Sequence, residues 1–137
     1  MTRSNYRLID TDVASYVFSG SPHARTYIPH LEGFIGAVSF VTVAELLRGA
    51  YQNRWGQRRI REMESHIQDN YVVLPYNVDV ARQWALLVAN CVRDGFTPGH
   101  NDAWIAASAM AFNCTLVARD NDFREIQKRC TALDVLP

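Results

Sequence analysis

Four acidic residues occupy comparable positions in this sequence, at the ends of predicted strands or the starts of predicted helices. They are Asp10, Glu45, Asp102 and Asp120. Each one alone is explained as a helix cap or as a charge that interacts favourably with a helix dipole. In a parallel α/β sheet, however, all four positions lie near the edge formed by the carboxyl ends of the strands, where ligands bind. We therefore predict that the four side chains converge in one crevice.

A crevice of this kind favours a divalent metal ion. Carboxylates within a few Å of one another repel, and a hard cation with oxygen ligands, such as Mg²⁺ or Mn²⁺, removes that cost. Such ions activate water and stabilise in-line displacement at phosphorus. The sequence has neither the Cys/His spacing of a zinc site nor a Gly-rich phosphate loop. His100 is the nearest histidine, and we predict a surface or supporting role for it rather than a ligand role.

The stretch from Pro98 to Phe123 determines how two of these acids are positioned. A Pro-Gly turn is followed by Asp102 and by a run of Ala, Trp, Ile, Met and Phe that is apolar on nearly all sides, which is typical of a buried helix. Residues 114–118 then suit a buried strand, and Asp120 and Asp122 follow it directly. One carboxylate thus opens a core helix, and two more close the next strand.

Strands and helices alternate along the rest of the chain. We predict the strands at residues 6–9, 34–40, 71–74, 114–118 and 133–135, and the other helices at 11–18, 23–31, 42–50, 57–68, 78–93 and 122–129. Thr42 and Glu45 match a capping box at the start of the third of these helices. The alternation predicts an α/β fold, namely a three-layer α/β/α sandwich with a central parallel sheet of four or five strands. We expect residues 1–137 to form a single domain.

Composition sets limits on the class of protein. The net charge is zero and no run of about 18 apolar residues is present, so neither a general affinity for nucleic acid nor a membrane span is indicated. The start of the sequence is too polar for a secretory signal. Three cysteines, an odd number without metal-binding spacing, suggest reduced thiols. We therefore expect a cytoplasmic protein with no membrane association.

The basic residues are unusual because thirteen are arginines and only Lys128 is a lysine. The planar guanidinium suits phosphate and carboxylate recognition. Four arginines crowd into residues 54–61; they are Arg54, Arg58, Arg59 and Arg61. They either cover a solvated helix face or, together with Tyr51 and Trp55, form a surface for RNA or for a protein partner.

Four segments resemble the successive motifs of PIN-domain ribonucleases, and specifically the VapC-type toxins of prokaryotic type II toxin–antitoxin pairs. The segments are residues 8–12 (LIDTD), 41–49 (VTVAELLRG), 101–107 (NDAWIAA) and 116–123 (LVARDNDF). The resemblance covers almost the whole chain, in order and at the usual spacing. It implies a PIN-like fold and an endoribonuclease that depends on Mg²⁺ or Mn²⁺. It also implies a homodimer and inhibition by a cognate antitoxin.

By this resemblance, Asp10, Glu45 and Asp102 match the metal-binding acids, and Asp120 best matches the fourth. Asp122 is a near neighbour that could share or replace Asp120. We expect Asp10 and Asp102 to be the chief ligands, with Glu45 and Asp120 completing the site or orienting the water. Thr11 and Asp12 match the supporting polar residues. Many relatives have threonine where this chain has Ala118, so a hydrogen bond to the site is absent here or comes from another group.

Two alternatives remain open from the sequence. Asp10 and Asp12 also resemble the nucleophile motif of haloacid-dehalogenase-like phosphatases, in which the first aspartate attacks phosphorus and the second acts as acid and base. That chemistry needs a lysine, and Lys128 lies in the last predicted helix. Alternatively, the acids merely cap helices in a non-catalytic binding module. Hydrolysis of a phosphomonoester, cleavage of RNA and saturable Mn²⁺ binding distinguish the three.

Overall fold

A central sheet of five parallel strands organises the chain in the computed structural model, which describes residues 3–137. The strands are β1 (Tyr6–Ile9), β2 (Ile35–Ser39), β3 (Val72–Leu74), β4 (Thr115–Val117) and β5 (Val135–Leu136). Their order across the sheet is β3-β2-β1-β4-β5. The predicted parallel sheet is confirmed, with five strands rather than four, and each predicted strand lies within two residues of its observed position.

Six α-helices flank the sheet, which confirms the predicted three-layer sandwich. They are α1 (Thr11–Ser19), α2 (Phe40–Gln52), α3 (Gln57–Asn70), α4 (Val78–Arg93), α5 (His100–Ala111) and α6 (Asp122–Arg129). Within residues 3–137, none of the helices has both the length and the apolar character needed to cross a bilayer.

The core forms two layers because neighbouring residues of a strand point to opposite faces of the sheet. On one face, Leu8 and Leu116 pack with apolar residues of α4, α5 and α6. On the other, Ile9 and Val117 pack with residues of α1, α2 and α3. The middle of α5, from Ala103 to Ala109, is buried apart from the half-buried Trp104, as its composition predicts, and it anchors the helix whose first turn contains Asp102.

Two predicted helices differ from the structure. The predicted helix at 23–31 is instead a pair of short 3-10 helices, Pro22–Thr26 and Ile28–Leu31. Pro29 explains this because it lacks an N–H group and its ring would clash with a carbonyl one turn earlier in an α-helix.

The predicted capping box of Thr42 and Glu45 is wrong. Helix α2 begins earlier, and its cap is Ser39, whose Oγ accepts a hydrogen bond from the Val41 N–H group at 3.1 Å. Thr42 lies inside the helix and is buried. The serine that ends β2 therefore starts α2 directly, without an intervening loop, and Glu45 is left free for another role.

The order in which strands are added to the sheet reverses between β1 and β4, although these two strands are parallel. From β1 the chain proceeds to β2 and β3 on one side, and then returns through α4 and α5 to β4 on the other side of β1. Ile9 pairs with Val38 on one neighbour and with Val117 on the other. In open α/β sheets ligands bind at the carboxyl ends of the strands beside such a reversal. Asp10 follows β1 and Asp120 follows β4 at this point.

Candidate metal centre

Three carboxylates meet at the carboxyl edge of the sheet. They belong to Asp102 in the first turn of α5, Asp120 in the loop after β4, and Asp122 at the start of α6. One oxygen from each lies within 4.8 Å of the others, and all three residues are partly buried. Separate segments of the chain therefore bring three negative charges to one place, which makes this the strongest candidate site for a cation.

The electrostatic effect of this arrangement falls mainly on Asp102. Its pKa is raised from 3.8 to about 7, first by burial and then by the negative charges of Asp120, Asp122, Glu45 and Asp10, in that order. The ionised form is therefore less favourable here than in an ordinary aspartate, and a nearby positive charge would favour it. Because every donor in this group is an oxygen atom, the site suits a hard divalent cation rather than zinc.

Asp10 lies at the base of the crevice and is almost completely buried, with 2% of its surface exposed. Its Oδ1 accepts a hydrogen bond from the Val13 N–H group at 2.8 Å, and its Oδ2 accepts one from the Arg119 N–H group at 3.1 Å. Burial raises the pKa of Asp10 to about 6, although these hydrogen bonds oppose the effect. Asp10 is thus a helix cap, and its charge also reaches the centre. Capping α1 and contributing negative charge to the crevice are compatible at this position.

Glu45 is held at the crevice by a threonine of the neighbouring helix. The Thr11 hydroxyl donates to Glu45 Oε1 at 2.7 Å, and Thr11 Oγ1 also lies 3.0 Å from the Thr42 hydroxyl oxygen. This chain of hydrogen bonds joins α1 to α2 and fixes one rotamer of the glutamate. Its negative charge contributes to the raised pKa of Asp102.

Asp120 and Asp122, the two candidates for the fourth acid, lie together in the turn that leads into α6. Asp120 Oδ1 accepts a hydrogen bond from the Asp122 N–H group at 3.0 Å, which fixes the turn into α6. Burial raises the pKa of Asp122, as do the charges of Asp120 and Glu125. Ala118 is fully buried and provides no side-chain donor to the site. In its vicinity, the Arg119 N–H group supplies a hydrogen bond to Asp10 instead.

Sequence reasoning assigned no role to Arg119, which contacts the site twice. Besides its backbone contact with Asp10, its guanidinium donates to Asp12 Oδ2 at 3.2 Å. The pair is largely exposed, with 56% of the arginine side chain and 46% of the aspartate side chain accessible. A signal was present in the sequence, since Arg119 immediately precedes Asp120 at the end of a predicted strand. Asp12 is therefore a rim residue that holds this arginine.

The predicted arginine surface lies on the turn after α2 and on α3, and all four arginines are exposed. Arg58 forms an ion pair with Glu62 at 3.3 Å, and the Arg59 guanidinium lies 3.7 Å from the centre of the Trp55 ring. Trp55 lines a cavity of about 240 Å³ that also reaches Glu45. A role of these arginines in binding RNA or a partner stays a prediction.

Two further residues lie outside the group of acids. His100 is exposed at the first position of α5. Lys128 is 67% exposed and forms an ion pair with Glu125 at 3.0 Å, so it is engaged near the far end of α6. Neither observation supports the lysine-assisted chemistry of the phosphatase alternative.

Comparison with known proteins identifies the family. The model of the PIN domain family matches residues 7–129. The chain belongs to the PIN-domain family. This PIN-domain protein is 30% identical over 108 residues to "Ribonuclease VapC4" of Mycobacterium tuberculosis, covering 78% of this chain and 83% of that protein. The predicted family and the ribonuclease class are therefore confirmed, and the phosphatase and binding-module alternatives are set aside.

Solved structures share the fold of this PIN-domain protein. VapBC2 from Rickettsia felis, bound to a DNA fragment from its promoter, matches with a TM-score of 0.80 and 21% identity over 96% of this chain and 97% of that chain. VapBC-5 from Mycobacterium tuberculosis, a member of the VapBC family of toxin–antitoxin systems, matches with a TM-score of 0.68 and 24% identity over 97% and 98% of the two chains.

Proposed function

We propose that this PIN-domain ribonuclease is a divalent-metal-dependent endoribonuclease whose site consists of Asp10, Glu45, Asp102, Asp120 and Asp122. The observation that carries the proposal is the approach of three carboxylate oxygens to within 4.8 Å of one another. A fourth, buried carboxylate and a fifth on α2 surround them. This concentration of charge is unfavourable without a cation, and it lies where the sheet topology places a ligand.

The ion we propose is Mg²⁺ or Mn²⁺, held by Asp102, Asp120 and Asp122 with the support of Asp10. When bound, such an ion lowers the pKa of a coordinated water and stabilises charge at the phosphorus. The donor set supports this choice because it contains only oxygen atoms, and the raised pKa of Asp102 supports a cation beside this carboxylate.

Asp10, Glu45 and Asp102 are each positioned by a different part of the fold. Asp10 accepts hydrogen bonds from two backbone N–H groups, which fix its negative charge at the bottom of the crevice. Glu45 is oriented by Thr11 and is the group best placed to align an attacking water by hydrogen bonding. Asp102 lies in the first turn of α5, directly before the buried part of that helix, which positions it. Such preorganisation is what an in-line attack on an RNA phosphodiester requires.

We further propose that the chain acts as the toxin of a type II toxin–antitoxin pair and that a cognate antitoxin inhibits it. The likeness to chains from VapBC complexes supports this partner. A homodimer and a cytoplasmic location belong to the same proposal.

The proposal is tested by RNA cleavage with the purified chain. We expect cleavage with Mg²⁺ or Mn²⁺, none in EDTA, and a loss of at least about 100-fold in Asp102→Asn and in Asp10→Asn. Asparagine is also a good helix cap, so the second variant keeps the start of α1. The matched control is Asp69→Asn, which removes an exposed carboxylate on α3. Full Mn²⁺-dependent cleavage by either site variant would refute the assignment.

A further inference from the structure

Three aromatic side chains lie together beside the acid crevice, and the proposed metal chemistry does not use them. They are Tyr16 on α1, His23 in the first 3-10 helix and Tyr27 between the two 3-10 helices; we call them the aromatic patch. The Tyr16 ring centre lies 5.2 Å from that of His23 and 6.3 Å from that of Tyr27. The two tyrosine rings are inclined by only 24°. His23 is exposed and both tyrosines are partly exposed, so solvent reaches the patch.

The patch belongs to the rim of the proposed catalytic site. Tyr16 lies one helical turn after Asp12 and therefore on the same side of α1. The pKa of the Tyr27 phenol is raised, first by burial and then by the negative charge of Asp10, while Arg119 and Arg124 oppose the rise. The Tyr27 phenol therefore lies within electrostatic range of Asp10, Arg119 and Arg124.

These two arginines add positive charge to the same rim. Arg119 is anchored by its backbone to Asp10, and its guanidinium pairs with Asp12 in a largely exposed ion pair. Exposed ion pairs contribute little to stability, so a phosphate can share or replace the contact of this guanidinium with Asp12. Arg124 lies on α6, two residues after Asp122, and no carboxylate in residues 3–137 forms an ion pair with it.

We propose that the aromatic patch, together with Arg119 and Arg124, binds the single-stranded RNA segment that adjoins the phosphodiester to be cleaved. The inference rests on the proposed function, because the acids determine where that phosphodiester lies. Bases stack on the aromatic rings and the arginines bind the flanking phosphates. This combination is typical of single-strand recognition, and it tolerates many sequences because every base has a π face.

The chemistry of the patch favours RNA over a protein segment. Its members are two phenols and an imidazole, so each has a polar atom as well as a ring face. An apolar helix would leave these polar groups without partners. A nucleotide chain uses both the ring faces and the adjacent cations.

The test measures binding without cleavage, in EDTA, with two labelled oligonucleotides of the same length. One is ordinary single-stranded RNA, and the other lacks the bases in its central segment. We expect Tyr16→Leu and Tyr27→Leu each to weaken binding of the ordinary RNA about tenfold and to leave binding of the abasic strand unchanged. Tyr16→Phe and Tyr27→Phe keep the rings and should bind like the unmodified protein. Tyr76→Leu is the matched control, since this tyrosine is 58% exposed and lies outside the patch.

The arginines should give a different signature. We expect Arg119→Gln and Arg124→Gln to weaken the binding of both oligonucleotides. Each should also reduce the slope of log K against the logarithm of the salt concentration by about one. The stacking proposal would be overturned if the leucine variants bound ordinary RNA as tightly as the unmodified protein does. It would also be overturned if they lost the same factor of affinity for both oligonucleotides. Loss of antitoxin binding with unchanged RNA binding would assign the patch to the protein partner instead.

The same variants separate this inference from the proposed function. In cleavage assays with Mn²⁺, the leucine variants should show a KM raised about tenfold and an almost unchanged kcat, because stacking acts on binding of the segment beside the reacting group. Normal cleavage with an unchanged KM would contradict the patch and leave the nuclease intact. Base-dependent binding without cleavage in any metal would contradict the nuclease and leave the patch intact.

Discussion

Replacing Asp102 with asparagine should stabilise the metal-free protein. The pKa of this carboxyl is raised from 3.8 to about 7 by burial and by four neighbouring acids. A rise of this size corresponds to a destabilisation of at most about 4 kcal/mol when the group is ionised. Solvent screening of a partly exposed group reduces this to about 1–2 kcal/mol. Loss of the favourable interaction with the start of α5 offsets about 0.5 kcal/mol, so we expect a net gain of about 1 kcal/mol.

The gain should depend on pH with a definite sign. Between about pH 4 and pH 7 the folded protein retains the Asp102 proton that the unfolded chain has lost. The free energy of unfolding of the unmodified protein therefore falls as the pH rises through this interval, and the asparagine variant lacks this contribution. The two proteins should differ at pH 8 and agree at pH 4.

Urea denaturation followed by tryptophan fluorescence, in EDTA at pH 8 and pH 4, measures both quantities. Mn²⁺ at pH 8 should reverse the order of stability, because only the intact site gains free energy from binding the ion. Asp69→Asn is the control and should change neither pH nor metal dependence. An asparagine variant that is less stable than the unmodified protein in EDTA at pH 8 would refute the reasoning that repulsion and burial dominate at this site.

Two other contacts give direct predictions. Thr11→Val removes the 2.7 Å hydrogen bond to Glu45, so we expect kcat for RNA cleavage to fall about tenfold, whereas Thr11→Ser should retain most activity; equal rates for both variants would contradict the orienting role. Gly36→Ala places a methyl group 2.9 Å from the Tyr71 ring and should lower the free energy of unfolding by about 1–3 kcal/mol in thermal denaturation. Gly49→Ala meets no atom within 4 Å and should stabilise α2, by up to about 1 kcal/mol; a loss of stability there would contradict the prediction.

The sequence predicts the sheet well because the strands and the buried helix have strong, local signals. The run of small and apolar residues in α5 has no polar face, and the structure buries it as expected. The position of Asp10 and Asp120 at the topological reversal follows from strand order. The alternation of strands and helices predicts a parallel sheet but not this order, which depends on contacts between distant segments.

Long-range contacts explain what the sequence does not predict. The cap of α2 is Ser39 rather than Thr42, and the Thr42 hydroxyl oxygen lies 3.0 Å from that of Thr11, 31 residues away. A local capping pattern contains no information about that distant partner. The same limit applies to Arg119, whose contacts with Asp10 and Asp12 span more than a hundred residues. Likewise, the nearest approach among acids is between Asp102, Asp120 and Asp122, and sequence spacing alone does not distinguish this group from one centred on Asp10.

The most direct measurement is anomalous diffraction from crystals of the unmodified chain grown with Mn²⁺. The account predicts a strong anomalous peak within coordination distance of carboxylate oxygens of Asp102 and Asp120 or Asp122, beside the buried Asp10. No peak should be present in crystals of Asp102→Asn grown under the same conditions. A well-occupied manganese ion elsewhere on the protein, with only water between these three carboxylates, would contradict the central claim.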